Sequence, residues 1–210
     1  MAAKRHIHAG ARAVLVMGYL VGLIAFPMLP GPFLDQKLSA RILVAFTLPT
    51  TALVIYALFR SLWAHDPIRT GNGAFESTYD AIVLRVLLFV VALHALVMIV
   101  LTGAMDAVGR LSAGRAVVVL FGAVLIAIGN LLPRTRPNVA VGVRTTRTLT
   151  NAQLWQQVHR AGGYATVALG TFIAVTGLVF THETLGAVIG AAALVAALVV
   201  FTSYRKHAGA

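Results

Sequence analysis

Residues 82–103, IVLRVLLFVVALHALVMIVLTG, form an apolar run in which Arg85 and His94 are the only ionisable side chains. Wound as a helix at 1.5 Å per residue, this run is about 33 Å long, enough to cross the hydrocarbon layer of a bilayer. Five more such runs lie outward of it, at about 11–29, 42–63, 115–132, 161–181 and 184–204. Their apolar character is continuous rather than alternating, which points to helices and away from a membrane barrel. Hydrophobic residues make up 59% of the 210 positions and charged residues 11%, with a mean hydropathy of +0.88, far from the balance of a soluble domain. The expectation is an all-α, polytopic membrane protein: one domain over 1–210 with six transmembrane helices and a short interfacial helix in the fourth loop.

Lys and Arg near membrane spans are retained on the cytoplasmic side. In a six-span arrangement Lys4, Arg5, Arg12, Arg60, Arg69, Arg85, Arg134, Arg136, Arg144, Arg147, Arg160, Arg205 and Lys206 share one side, against Lys37, Arg41, Arg110 and Arg115 on the other. Both termini and the 133–160 loop are therefore expected in the cytoplasm. The net charge of +11 is then mostly a topological signal, with membrane lipids as partners through their anionic headgroups. No basic domain of separate size is present, so direct nucleic-acid binding is not expected. The first apolar run is too long for a secretory h-region and ends in Pro27, Pro30, Gly31 and Pro32, so it reads as a span rather than a cleaved signal. With no cysteine, disulfides, thiolate metal sites and cysteine nucleophiles are excluded, and no cofactor is implied.

Pro49 interrupts the second span, where a kink is expected and a neighbouring helix must satisfy the freed carbonyl. The loop 64–81 has turn chemistry at Asp66-Pro67 and Gly71-Asn72-Gly73 and holds three of the six acids, Asp66, Glu76 and Asp80. It is where acid can meet the basic loop from the same side. Thr181-His182-Glu183-Thr184 makes so short a turn that the last two spans must form a hairpin, with His182-Glu183 exposed rather than metal-binding. Gly18 and Gly22, and Gly186 and Gly190, have small-xxx-small spacing, read as intramolecular packing ahead of homodimerisation. His94, mid-span, is either a proton relay or a neutral histidine bonded within the bundle, the latter favoured because no acid occurs centrally in any span.

The stretch 129–163, GNLLPRTRPNVAVGVRTTRTLTNAQLWQQVHRAGG, is the long polar insert between these spans. Asn130 follows Gly129 and precedes Pro133, placed to cap the fourth span. Pro133 and Pro137 stop the helix. Asn138 and Gly142 are turn formers, and Gly142 can take a positive φ. Arg144 and Arg147 carry forked guanidiniums suited to carboxylate or phosphate. A capping box at Thr150-Asn151-Ala152-Gln153 would start a short helix to about residue 161, with Trp155 and His159 at i, i+4 beside an apolar stripe, turning into the fifth span through Gly162 and Gly163.

The order of Gly129, Asn130, Pro133, Pro137, Asn138, Gly142, Arg144, Thr145, Thr148, Leu149, Asn151, Trp155, His159, Arg160 and Gly163 resembles the signature region of the SdpI family of bacterial membrane proteins, over roughly 115–205. Relatives usually have Pro-Trp where this chain has Thr146-Arg147. The resemblance implies a bacterial cytoplasmic-membrane protein, not an enzyme, giving immunity to a membrane-active peptide toxin or signalling its presence. It implies the toxin and a cytoplasmic repressor protein as partners, and Asn130, Asn138, Arg144, Thr145, Asn151, Trp155, His159 and Arg160 as ligand- or partner-binding residues. The alternative is a membrane enzyme or carrier of a lipid-linked phosphate, with Arg144, Arg147 and Arg160 as clamp and His159 as acid or base. Against it, the loop has no carboxylate pair or nucleophile.

Overall fold

The structure is a computed structural model that describes residues 2–29, 38–68, 73–104 and 107–179, and beyond them 190, 193–198, 200–202 and 204–205. Over described residues 2–179 the α-helices are, in order, α1 (Ala2–Ala25), α2 (Leu38–Ala64), α3 (Gly73–Leu101), α4 (Ala107–Gly129), the short α5 (Thr146–Thr150) and α6 (Ala152–Val179). Single 3₁₀ turns at Phe26–Met28 and Leu132–Arg134 cap α1 and α4, and no strand occurs among the described residues. Among the described residues, five stretches are long and apolar enough to cross a membrane: Ala9–Met28, Leu38–Ala64, Phe75–Leu101, Ala113–Arg134 and Ala152–Val179. The chain is an all-helical, multi-pass membrane protein. The expected sixth span at 184–204 lies largely outside the described residues, of which those at 193–198 are helical, and the turns expected at 71–73 and 181–184 lie there too, apart from Gly73, the first residue of α3.

The first three helices pack as an up-down-up bundle. Gly10 meets Leu84 and Gly18 meets Val91, so α1 and α3 run parallel in direct contact, while α2 returns antiparallel beside them. Their shared core is Val14, Leu15, Ala52, Tyr79, Val83, Leu87 and Val91. The outer faces carry exposed Val16, Leu20, Leu23, Leu53, Val54 and Leu58, surface that only a hydrocarbon environment covers without penalty. Pro49 sits inside α2 without ending it. It has no N–H to offer the Ala45 carbonyl four residues back, and Gly22 of α1 lies against that carbonyl, so close that a Cβ on Gly22 would stand 2.5 Å from its oxygen. Arg85, inside the α3 span, turns back toward the basic end and donates to the Ala81 carbonyl at 2.9 Å.

The second unit is the antiparallel pair α4–α6. Gly122 abuts Gly170, Gly129 abuts Gly163, and Gly177 abuts Val118. A Cβ at Gly122 would lie 2.5 Å from the Gly170 carbonyl oxygen and one at Gly163 2.8 Å from that of Gly129, so the two backbones touch and their dispersion contacts replace side-chain filling. Gly18 packs on Val91 and Pro49 within the chain, whereas a Cβ on Gly190 would meet nothing within 4 Å.

One expectation changes here. The helix expected to end near residue 161 does not end there: after the short α5, α6 runs unbroken from Ala152 through Gly162-Gly163 to Val179. Its first turns bury Leu154, Trp155, Val158 and His159 and leave Gln153, Gln156 and Arg160 exposed, so they extend the span as an amphipathic start.

Candidate functional site

The ends of α2 and α4 and the starts of α3 and α6 meet at one end of the molecule, where the rings of Trp63, Phe75 and Tyr79 cluster in tilted and edge-on contacts, Trp63 to Tyr79 at 4.6 Å between ring centroids. Residues 130–151 fold over this end. After Leu131 N–H closes α4 on the Ile128 carbonyl at 2.8 Å, Pro133 and the 3₁₀ turn lead the chain across. Asn130 is exposed, and this closure is a backbone one rather than the side-chain cap expected of it.

Asn138 is the centre of the first half. It is fully buried; Nδ2 donates to the carbonyls of Arg136 at 2.7 Å and Val141 at 3.2 Å, and Oδ1 accepts from the N–H groups of Ala140 at 2.9 Å and Val141 at 2.8 Å. Two donors and two lone pairs are thus all used. Asp66, 73 positions from Val139, accepts from Val139 N–H through Oδ2 at 3.1 Å and from Ile68 N–H through Oδ1 at 2.9 Å. Ala140 and Val141 pack on the core of the first bundle. The expected meeting of acid and basic loop takes place, with the backbone as the acid's partner.

The second half is built on α6. Trp155 and His159 stack at 3.9 Å between centroids and 14° between planes, both buried. Trp155 Nε1 donates to Thr135 Oγ1 at 3.1 Å, and Thr135 Oγ1 donates to the Leu132 carbonyl at 2.7 Å. His159 Nδ1 donates to the Trp155 carbonyl at 2.8 Å, while Nε2 accepts from Val143 N–H at 3.0 Å. One donor and one acceptor on the ring require a neutral imidazole protonated at Nδ1. Gly142 lies against the Nε2 edge of that ring at φ +118°, and a Cβ there would overlap Nε2. Thr145 and Thr148 form a reciprocal capping box at the start of α5, and buried Thr148 Oγ1 also donates to the Val143 carbonyl at 2.8 Å. The box expected at Thr150-Gln153 is thus one helix earlier, and Asn151 caps α6 by accepting from Leu154 N–H at 2.9 Å.

Residues 134–204 match the model of the SdpI/YfhL protein family. Over that segment, about a third of its length, the chain is similar to the SdpI/YfhL family. No curated protein and no solved structure matches it.

Within the SdpI/YfhL segment the structure gathers Asn138, Thr145, Trp155 and His159 into one lattice of buried or half-buried bonds. Asn151 is at its edge as a helix cap, and Arg144 and Arg160 are exposed. Arg144 turns back and donates to the Val139 carbonyl, and Arg160 reaches Tyr164 one turn along α6. Thr135 is not singled out by the sequence, and Thr148 enters only as a position of the family resemblance, with no role assigned to it. Threonine at the fourth position of a capping box replaces the usual Glu or Gln, so Thr145-Thr148 gave only a weak signal, and nothing local distinguishes Thr135 from any loop threonine.

Proposed function

We propose that this SdpI/YfhL-like protein is a bacterial plasma-membrane protein, not an enzyme, that gives immunity to a membrane-active peptide toxin or signals its presence, with both termini and the 133–160 loop in the cytoplasm. The match of residues 134–204 carries this reading. The loop supports it: its buried half is locked to both helical units through Asp66 and Trp155, while Arg144, Asn151 and Arg160 face outward. A toxin seated on the helices would shift the units, loosen the lattice and change the outward surface that a cytoplasmic repressor reads.

The test is survival of toxin-exposed bacteria expressing the chain beside Arg144→Ala, Trp155→Ala and His159→Ala variants at equal membrane levels. Protection by the intact chain that is lost in the loop variants is expected. An intact, well-expressed chain that protects against none of a panel of membrane-active peptides sinks the immunity reading.

A further inference from the structure

A cleft of about 460 Å³ opens between the first turns of α3, the Leu132–Arg134 turn and the second turn of α6. Arg134 and Arg136 line it with Ser77, Thr78 and Gln156, over a floor that includes Phe75 and Pro133. Among the described residues that line it there is no carboxylate. Two guanidiniums with polar donors beside them and no acid among the lining groups form an anion site, since forked N–H groups match the oxygens of a phosphate.

Its position narrows the ligand. Phe75 opens the α3 span, Arg134 closes the α4 span and Gln156 lies one turn into the α6 span, so the cleft is at the depth where helices leave the hydrocarbon. We propose that this cleft binds the phosphate group of an anionic ligand through Arg134 and Arg136. These residues are distinct from the Arg144, Arg147 and Arg160 set. The site goes beyond the immunity reading and does not rest on it. The phosphate belongs either to a lipid headgroup, whose acyl chains run down the helices, or to a soluble phosphate compound.

The purified full-length chain in neutral detergent is titrated at constant ionic strength with dihexanoyl phosphatidylglycerol and, separately, with inorganic phosphate, following Tm. At a hundredfold excess over Kd, binding to the folded state raises Tm by roughly 5–10 °C. The shift is expected to vanish in Arg134→Gln/Arg136→Gln, to persist in part in Arg134→Lys/Arg136→Lys, which keeps charge without the fork, and to persist fully in Arg12→Gln/Arg205→Gln, which removes two exposed charges elsewhere. A shift with the lipid alone assigns the site to headgroups. A shift with inorganic phosphate assigns it to the phosphate itself. No shift of the intact chain with either probe overturns the proposal, as does a shift that survives the cleft substitutions or is lost equally in the control pair. Failure of the toxin assay would leave these shifts unchanged.

Discussion

The loop's single residues are held by bonds that tolerate little chemical change. Asn138→Asp keeps the shape and the two acceptor bonds from Ala140 and Val141, but turns a carboxylate oxygen toward the carbonyls of Arg136 and Val141 that Nδ2 now serves. Two buried acceptors facing a third is a repulsive arrangement, expected to lower stability by about 1–3 kcal/mol, read as a fall in Tm. Gly142→Ala adds a Cβ onto the His159 ring at a left-handed φ and should lower Tm more than Gly103→Ala, where φ is +73° but a Cβ meets nothing within 4 Å. Equal effects at the two glycines would mean that the loop does not lie on His159 in solution. The turn roles of Asn138 and Gly142 were legible in the sequence because they are local. Full burial of Asn138 was not, because the segment is held by groups far away in the chain, such as Asp66 on the neighbouring Val139 N–H.

At the scale of elements, the neighbouring glycines of α6 make opposite contributions. A Cβ on Gly163 would stand 2.8 Å from the Gly129 carbonyl oxygen and 2.9 Å from Pro133, whereas one on Gly162 would make an ordinary contact at 3.7 Å with Val200. Gly163→Ala is therefore expected to push α4 and α6 apart and cost roughly 1–3 kcal/mol, while Gly162→Ala gains up to about 1 kcal/mol of helix propensity. Thermal melts of both variants check this; destabilisation of the two by the same amount would contradict the antiparallel seam. The seam leaves a trace in sequence, since Gly122 and Gly129, and Gly163, Gly170 and Gly177, recur every seventh residue. It was missed because hydropathy alone treats glycine as filler. Hydropathy also started the fifth span too late: residues 152–161 average polar and basic, although their buried half continues the apolar face of α6.

Over residues 2–179 the described helices make a three-helix bundle and a two-helix pair, joined by α3–α4 packing such as Phe89 against Phe121 and, at the basic end, by the loop. Apolar runs predict each span because lipid contact is a property of the run itself. At the loop the joint includes one carboxylate, Asp66, holding the Val139 N–H across 73 positions, and no periodicity encodes that. Asp66→Ala removes the acceptor of both Val139 and Ile68; Asp66→Asn keeps one acceptor oxygen for two donors. A bond to a charged acceptor is worth about 1.5–3 kcal/mol, so amide exchange at Val139 and its neighbours should quicken roughly ten- to a hundredfold in Asp66→Ala and less in Asp66→Asn. Amides along the α4–α6 seam should keep their protection, because Gly122, Gly129, Gly163 and Gly170 hold that pair without help from Asp66. Exchange measured in detergent distinguishes the cases. Unchanged rates at Val139–Val141 would remove Asp66 as the tie between the units, and loss of protection throughout α4 and α6 would mean that the two units unfold as one rather than moving about the loop that connects them.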